Sequence, residues 1–115
     1  MTLEDIYSHC ISKNFVQETY PFDSSTLVFK IGGKIFLLID SENPISVNVK
    51  CDPERGIELR ELFEGIHPGY HMNKKHWITI DLRCGIPQSV ILECIDNSFD
   101  LVYKSLPKSK QINLK

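Results

Sequence analysis

The chain has 115 residues, of which 42% are hydrophobic and 24% charged, a composition that predicts one globular domain with a single core and no disordered region. Its formal net charge of -2 excludes a protein that blankets phosphates by a global positive excess, so any nucleic-acid contact requires a local basic patch. Cysteines 10, 51, 84 and 94 form no Cys-x-x-Cys pair, no apolar run nears the ~18 residues of a membrane span, and "MTLEDIYSHC" lacks a signal-peptide pattern. A cytoplasmic protein with reduced thiols is expected, with no membrane partner and no cofactor.

Leu3, Ile6, Tyr7, Cys10 and Ile11 recur at helical spacing behind a Thr2/Asp5 capping box, which predicts a first helix ending near Asn14. After the turn-rich "YPFDSS", the run "TLVFKIGGKIFLLID" predicts two strands around a tight turn at Gly32-Gly33. A two-residue turn would pair Phe29 with Phe36 and Leu27 with Leu38, whereas a three-residue turn would set Phe29 beside Leu37. "ISVNVK" alternates as a third strand. Asp52-Pro53 then caps a short second helix, with Leu59, Leu62 and Phe63 expected as its buried stripe and an acidic outer face. "HWITIDL" predicts a further strand, and Pro87 opens a long helix lined by Ile91, Ile95, Phe99, Val102 and Leu106. A polar, frayed tail is expected beyond it. This order predicts a single α+β domain whose mostly antiparallel sheet is covered by helices. Helices on one side only would leave a partly apolar sheet face exposed, a surface suited to a partner or ligand.

Three chemistries compete for "GIHPGYHMNKKHWITIDL". His67 and His71 cannot share a helical turn across Pro68-Gly69, and no carboxylate or cysteine stands at ligand spacing, which argues against a metal. Cys51, beside Lys50 at a helix mouth, lacks an identifiable base and reads as a buried structural thiol. No nucleophile elbow or phosphate-cradling glycine loop occurs, so an enzyme is not expected. Positive charge is unevenly placed. Lys30 and Lys34 are the only charges between Ser24 and Ile39, and Lys74 and Lys75 the only ones between Gly65 and Ile80. After Asp100 come Lys104, Lys108, Lys110 and Lys115 without an acid. If the two hairpin tips lie side by side, their lysines form a phosphate-binding surface flanked by groups able to stack on or bond to bases. The alternative is a solvated turn over a packed Tyr70 and Trp77.

The segments "VFKIGGKIF", "KCDPE", "PGYHMNKKHW" and "SFDLVYKSLPK" resemble, in order and spacing, the signature segments of the MmcQ/YjbR family of small bacterial proteins. The resemblance implies a helix, three strands, a helix, two strands and a helix, similar to the secretion-chaperone fold, over residues 1–108 with a tail at 109–115. It adds a strand around Ile66 to Met72. It also implies DNA binding by a double-wing arrangement. The wing residues would be Lys30 and Lys34 at one hairpin, and Tyr70, His71, Asn73, Lys74, Lys75 and His76 at the other, with Trp77 beside them. Binding by so few cations would be weak and salt-sensitive, and the protein is expected to be a monomer. The competing expectation is a protein-interaction or chaperone-like module that uses the exposed sheet face; a small-molecule pocket near Tyr70 and Trp77 is a third.

Overall fold

The first helix, α1 (Leu3–Ile11), begins where Thr2 and Asp5 satisfy each other's backbone amides: Thr2 Oγ1 accepts from Asp5 N–H at 3.2 Å and Asp5 Oδ2 from Thr2 N–H at 3.0 Å. It stops three residues short of the expected end, and the chain reverses through Phe15, which holds a left-handed φ of 64°. The computed structural model describes residues 1–69 and 72–113. The reversal leads into a strand that the sequence does not announce, β1 (Gln17–Thr19). Its three polar residues have little strand character of their own; it forms by pairing with the edge of β2 (Thr26–Ile31).

Strand β3 (Lys34–Asp40) pairs with β2 through a two-residue turn in which Gly32 and Gly33 have φ of 59° and 83°. Positive φ at both positions is the condition for the tight hairpin turn that matches strand twist. The register combines both expectations. The turn is the shorter one, with Ile31 opposite Lys34, yet a bulge then sets Phe29 opposite Leu37 and Leu27 opposite Ile39. The inserted residue is Phe36, and its ring is fully buried.

Strand β4 (Ser46–Lys50) follows, then α2 (Pro53–Leu62), β5 (Ile66–Pro68), β6 (Trp77–Asp81), α3 (Gln88–Ser105) and α4 (Lys108–Asn113). The sheet order is β1-β2-β3-β4-β6-β5, and every adjacent pair is antiparallel. Among the described residues β5 ends at Pro68, short of Met72. In place of the frayed tail, α4 packs back on the domain: Gln111 Nε2 donates to Leu106 O at 2.8 Å, and Tyr103 Oη donates to Gln111 O at 3.2 Å.

Alternate sheet residues Leu27, Phe29, Leu37, Ile39, Val47, Val49, Ile78 and Ile80 meet Ile6 and Cys10 of α1, Leu59 of α2 and Ile91, Ile95 and Val102 of α3 in one core. The buried stripe of α2 is narrower than expected. Leu62 is 68% exposed, Leu59 is buried, and Phe63, at the C-cap, is partly buried against the same core. Gly56 also faces the sheet, close to Ile78. Beside the bulge, fully buried Ser98 of α3 bridges one backbone group of β3 and one of β4. Its Oγ donates to Phe36 O at 2.5 Å and accepts from Lys50 N–H at 2.8 Å.

The opposite sheet face has no helix over its centre, but it is not the apolar patch expected. Val28 and Leu38 are buried there, while Asn48 and Thr79 bond side chain to side chain across β4 and β6. Half-buried Thr19, Lys30, Lys50 and Trp77 and exposed His67 also lie on this face.

Candidate functional site

Strand direction decides which loops meet. β2 runs into the glycine turn and β3 leaves it; β4 ends at Lys50, directly opposite Trp77 at the start of β6. The glycine turn and the β5–β6 loop therefore sit at the same end of the sheet, with the end of β4 between them. Three strand spacings separate the hairpin centres, which places the two loops about 14 Å apart.

The β5–β6 loop is closed by a Gly69 N–H to Trp77 O hydrogen bond of 2.8 Å. Within it, Asn73 Oδ1 accepts from Lys75 N–H at 2.9 Å and His76 N–H at 3.3 Å. The Asn73 side-chain carbonyl thus caps a tight turn in place of contacting a base. That turn leaves Lys74, Lys75 and His76 exposed together, and His76 O ties the loop to Cys51 N–H at 2.8 Å. Tyr70 and His71, expected in the same surface, lie outside the described residues. Trp77, expected to be packed, is half-buried on the uncovered face.

The glycine hairpin divides its lysines. Lys34 pairs with Ile31 and is exposed on the helix side, whereas Lys30 pairs with Ile35 and lies half-buried on the uncovered face. Other cations join at this end. Lys50 terminates β4, Lys104 is in the last turn of α3, and Lys110 of α4 donates from Nζ to Gly32 O at 3.4 Å. Gly32 must lack a side chain here, because a Cβ would come within 2.6 Å of Leu106 Cδ1. The lysine run of the sequence points towards Lys104 and Lys110. Lys50 carries no sequence signal of this role, because its position depends on where β4 ends relative to both hairpins.

The opposite end of the sheet carries acids. Asp23, Asp40, Glu42, Glu64 and Asp81 all lie in or beside its turns. Hydrogen bonds from the Thr26 and Ser25 amides hold the Asp23 carboxyl below its usual range, and hydrogen bonds from the Arg83 side chain and backbone hold Asp81 at about 2. These groups are negative at neutral pH. Within a chain of net charge -2, five carboxylates are thus gathered at the end of the sheet opposite the lysine-bearing loops, although Asp52 and Glu54 follow Lys50 at the lysine end.

The described histidines are not gathered: His67 is on the uncovered face, His76 in the loop, and His9 pairs with Asp96 at 2.7 Å. No group of three His, Cys, Asp or Glu side chains able to hold a metal occurs among the described residues. Cys51 and Cys94 face a cleft between α2 and α3, but burial raises both thiols, Cys94 to about 12, which opposes a nucleophilic role. No helix among the described residues is long and apolar enough to cross a membrane.

These features define a small single-domain α+β protein with an entirely antiparallel six-stranded sheet and two lysine-bearing loops at one of its ends. The YjbR family model matches residues 11–101, and the chain belongs to that family. It is 39% identical to YbdF of Escherichia coli O157:H7 over 98 residues, covering 84% of this chain and 80% of the relative. It is 34% identical to YyaQ of Bacillus subtilis, covering 88% of this chain and 98% of that one. A crystal structure of a Deinococcus radiodurans protein with a DUF419 domain superposes with a TM-score of 0.92 at 39% identity, covering 98% of this chain and 87% of its own. A Pseudomonas syringae crystal structure gives a TM-score of 0.75 at 26% identity, covering 89% and 99%.

Proposed function

We propose that this protein binds duplex DNA through the lysine-bearing end of its sheet, as a binding module without a catalytic step. The observation that carries this reading is the segregation of charge. Lys34, Lys50, Lys74, Lys75 and Lys110 gather at one end, while Asp23, Asp40, Glu42, Glu64 and Asp81 lie at the other. Supporting it, the two loops stand about 14 Å apart, close to the ~12 Å width of the DNA major groove, so each can reach a different stretch of backbone. The capped Asn73 turn presents Lys74 and Lys75 without an acid partner among the described residues. Such contacts neutralise phosphates and carry little sequence information, so affinity is low and weakly sequence-dependent.

Fluorescence anisotropy of a labelled duplex, titrated at low and moderate salt, tests the reading. The Lys74→Glu/Lys75→Glu variant should lose most of the binding while its Tm stays within a degree or two, because exposed turn charges contribute at most about 0.5 kcal/mol. Absence of wild-type binding at low salt, or equal binding by the variant, would overturn it.

A further inference from the structure

Phe15 makes the turn between α1 and β1 at a cost that glycine would not incur. Its φ of 64° lies in the left-handed region, where a bulky side chain is strained. The ring contributes little to the core in return: it is 52% exposed and takes no part in the cluster that neighbouring Val16 joins. A strained aromatic kept at the surface points to a contact rather than to packing.

The ring borders a shallow groove of about 530 Å³, lined also by Val16, Gln17, Gly32, Gly33 and Lys110. Because β1 is the edge strand beside β2, this groove flanks the glycine turn on the side away from the β5–β6 loop. Gly33 has open space where a Cβ would stand, so the turn offers backbone alone to whatever enters. The charge in the groove has one sign. No carboxylate lines it, and Glu18, the next acid along β1, is held by Tyr7 Oη at 2.7 Å. Lys110 uses one N–H donor on Gly32 O, a neutral acceptor that leaves the ammonium charge in place. Neither Lys110 nor Lys34 has a carboxylate within ion-pair distance among the described residues.

An exposed aromatic face, a turn without side chains and an unneutralised ammonium group together suit a nucleobase and its phosphate. The base stacks on the ring, and the ammonium meets the backbone anion. A paired base would first have to leave its own stack, which offsets the gain, whereas a base already unpaired costs far less to bring in. We propose, building on the DNA-binding reading above, that this groove holds one unpaired nucleobase against Phe15, so that the protein prefers duplexes carrying an unpaired nucleotide to fully paired ones.

The test compares three labelled duplexes by fluorescence anisotropy at low salt. One is fully paired, one carries a central unpaired adenine, and one has an abasic sugar-phosphate in place of that adenine, which keeps the charge and removes the base. The wild type should bind the adenine duplex about 5- to 10-fold more tightly than the abasic one, the lower part of the range for stacking because the ring is only half-exposed. Phe15→Gly should bind these two equally and the paired duplex as the wild type does, with a Tm no lower than the wild type's because the strained φ is relieved. Phe15→Tyr should keep the preference for adenine. Lys74→Glu/Lys75→Glu should weaken all three duplexes alike and leave the ratio unchanged. Equal wild-type affinity for the adenine and abasic duplexes, a preference that survives Phe15→Gly, or a Tm several degrees lower in that variant would overturn the proposal and leave the duplex reading standing. Absence of wild-type binding to all three would overturn both.

Discussion

Gly69 and Trp77 close the β5–β6 loop at a separation that admits no side chain: a Cβ on Gly69 would lie 2.6 Å from Trp77 Cβ and 3.0 Å from Trp77 O. The Gly69 N–H bond to Trp77 O is made in this close approach. Gly69→Ala must therefore push the strands apart at the base of the lysine turn. The expected cost is about 1–3 kcal/mol, as for other insertions of bulk into packed structure, together with weaker duplex binding. A urea midpoint equal to that of the wild type would show that the loop adapts freely.

Ser98 offers a sharper stability test, because one hydroxyl serves two backbone groups. Ser98→Ala leaves Phe36 C=O and Lys50 N–H unpaired in a buried site, each costing about 1–3 kcal/mol. A loss of ~2–4 kcal/mol by chemical denaturation is expected. A near-neutral result would mean that the bulge finds other partners.

Trp77 is half-buried beside Lys50 on the uncovered face, so Trp77→Ala should cost less than the ~3–5 kcal/mol of a fully buried ring. Its fluorescence should change on adding duplex, since it borders the Lys74-Lys75 turn. Emission that stays constant through a saturating titration would place the contact elsewhere.

Acid stability should depend on Asp96, which joins α1 to α3 by accepting from His9 Nε2 and Lys13 Nζ, each at 2.7 Å. Burial alone would raise its carboxyl, but the two donors outweigh that effect and hold it below the usual value. A carboxylate lowered in the fold adds stability above its unfolded pKa of ~3.9 and loses it as pH falls towards the folded value. Asp81, held at about 2 by Arg83, acts in the same direction. Stability should decline as pH falls below ~4, and Asp96→Asn should be less stable at neutral pH but decline less steeply. Parallel wild-type and variant curves of urea midpoint against pH would refute this linkage.

If charge position governs DNA binding, Glu42→Lys should do little although it raises the net charge by two, because Glu42 lies at the acidic end. Lys110→Glu makes the reverse change at the lysine end. It should weaken binding and lower the salt slope by about 0.9 for each phosphate that is no longer neutralised. Equal and opposite effects of the two substitutions would mean that total charge, not its location, is what the duplex senses.

The local elements are legible in the sequence because their signals are local. Thr2 and Asp5 satisfy each other within one turn, Asp52-Pro53 caps α2, and Gly32-Gly33 supplies two positive φ angles. Alternation of Val47 and Val49 with polar neighbours marks β4. Strand β1 carries no such mark because its pairing comes from β2, and Leu62 lies outside the core because helical spacing does not reveal how wide a stripe the sheet covers. The bulge at Phe36 is equally hidden, since the Phe36 carbonyl is bonded by Ser98, 62 residues away.

For the candidate site, the ingredients are all present in the sequence: two short lysine-bearing turns free of nearby acids, and a run of lysines after the last helix. Chain topology settles their arrangement. Antiparallel order brings Lys50, Lys74 and the Gly32-Gly33 turn to one end, while Asp40, Glu42 and Asp81 are sent to the other. The same geometry separates Lys30 from Lys34 and turns Asn73 inward as a cap. Spacing along a chain fixes which residues share a turn, but only pairing between distant strands fixes which turns share an end.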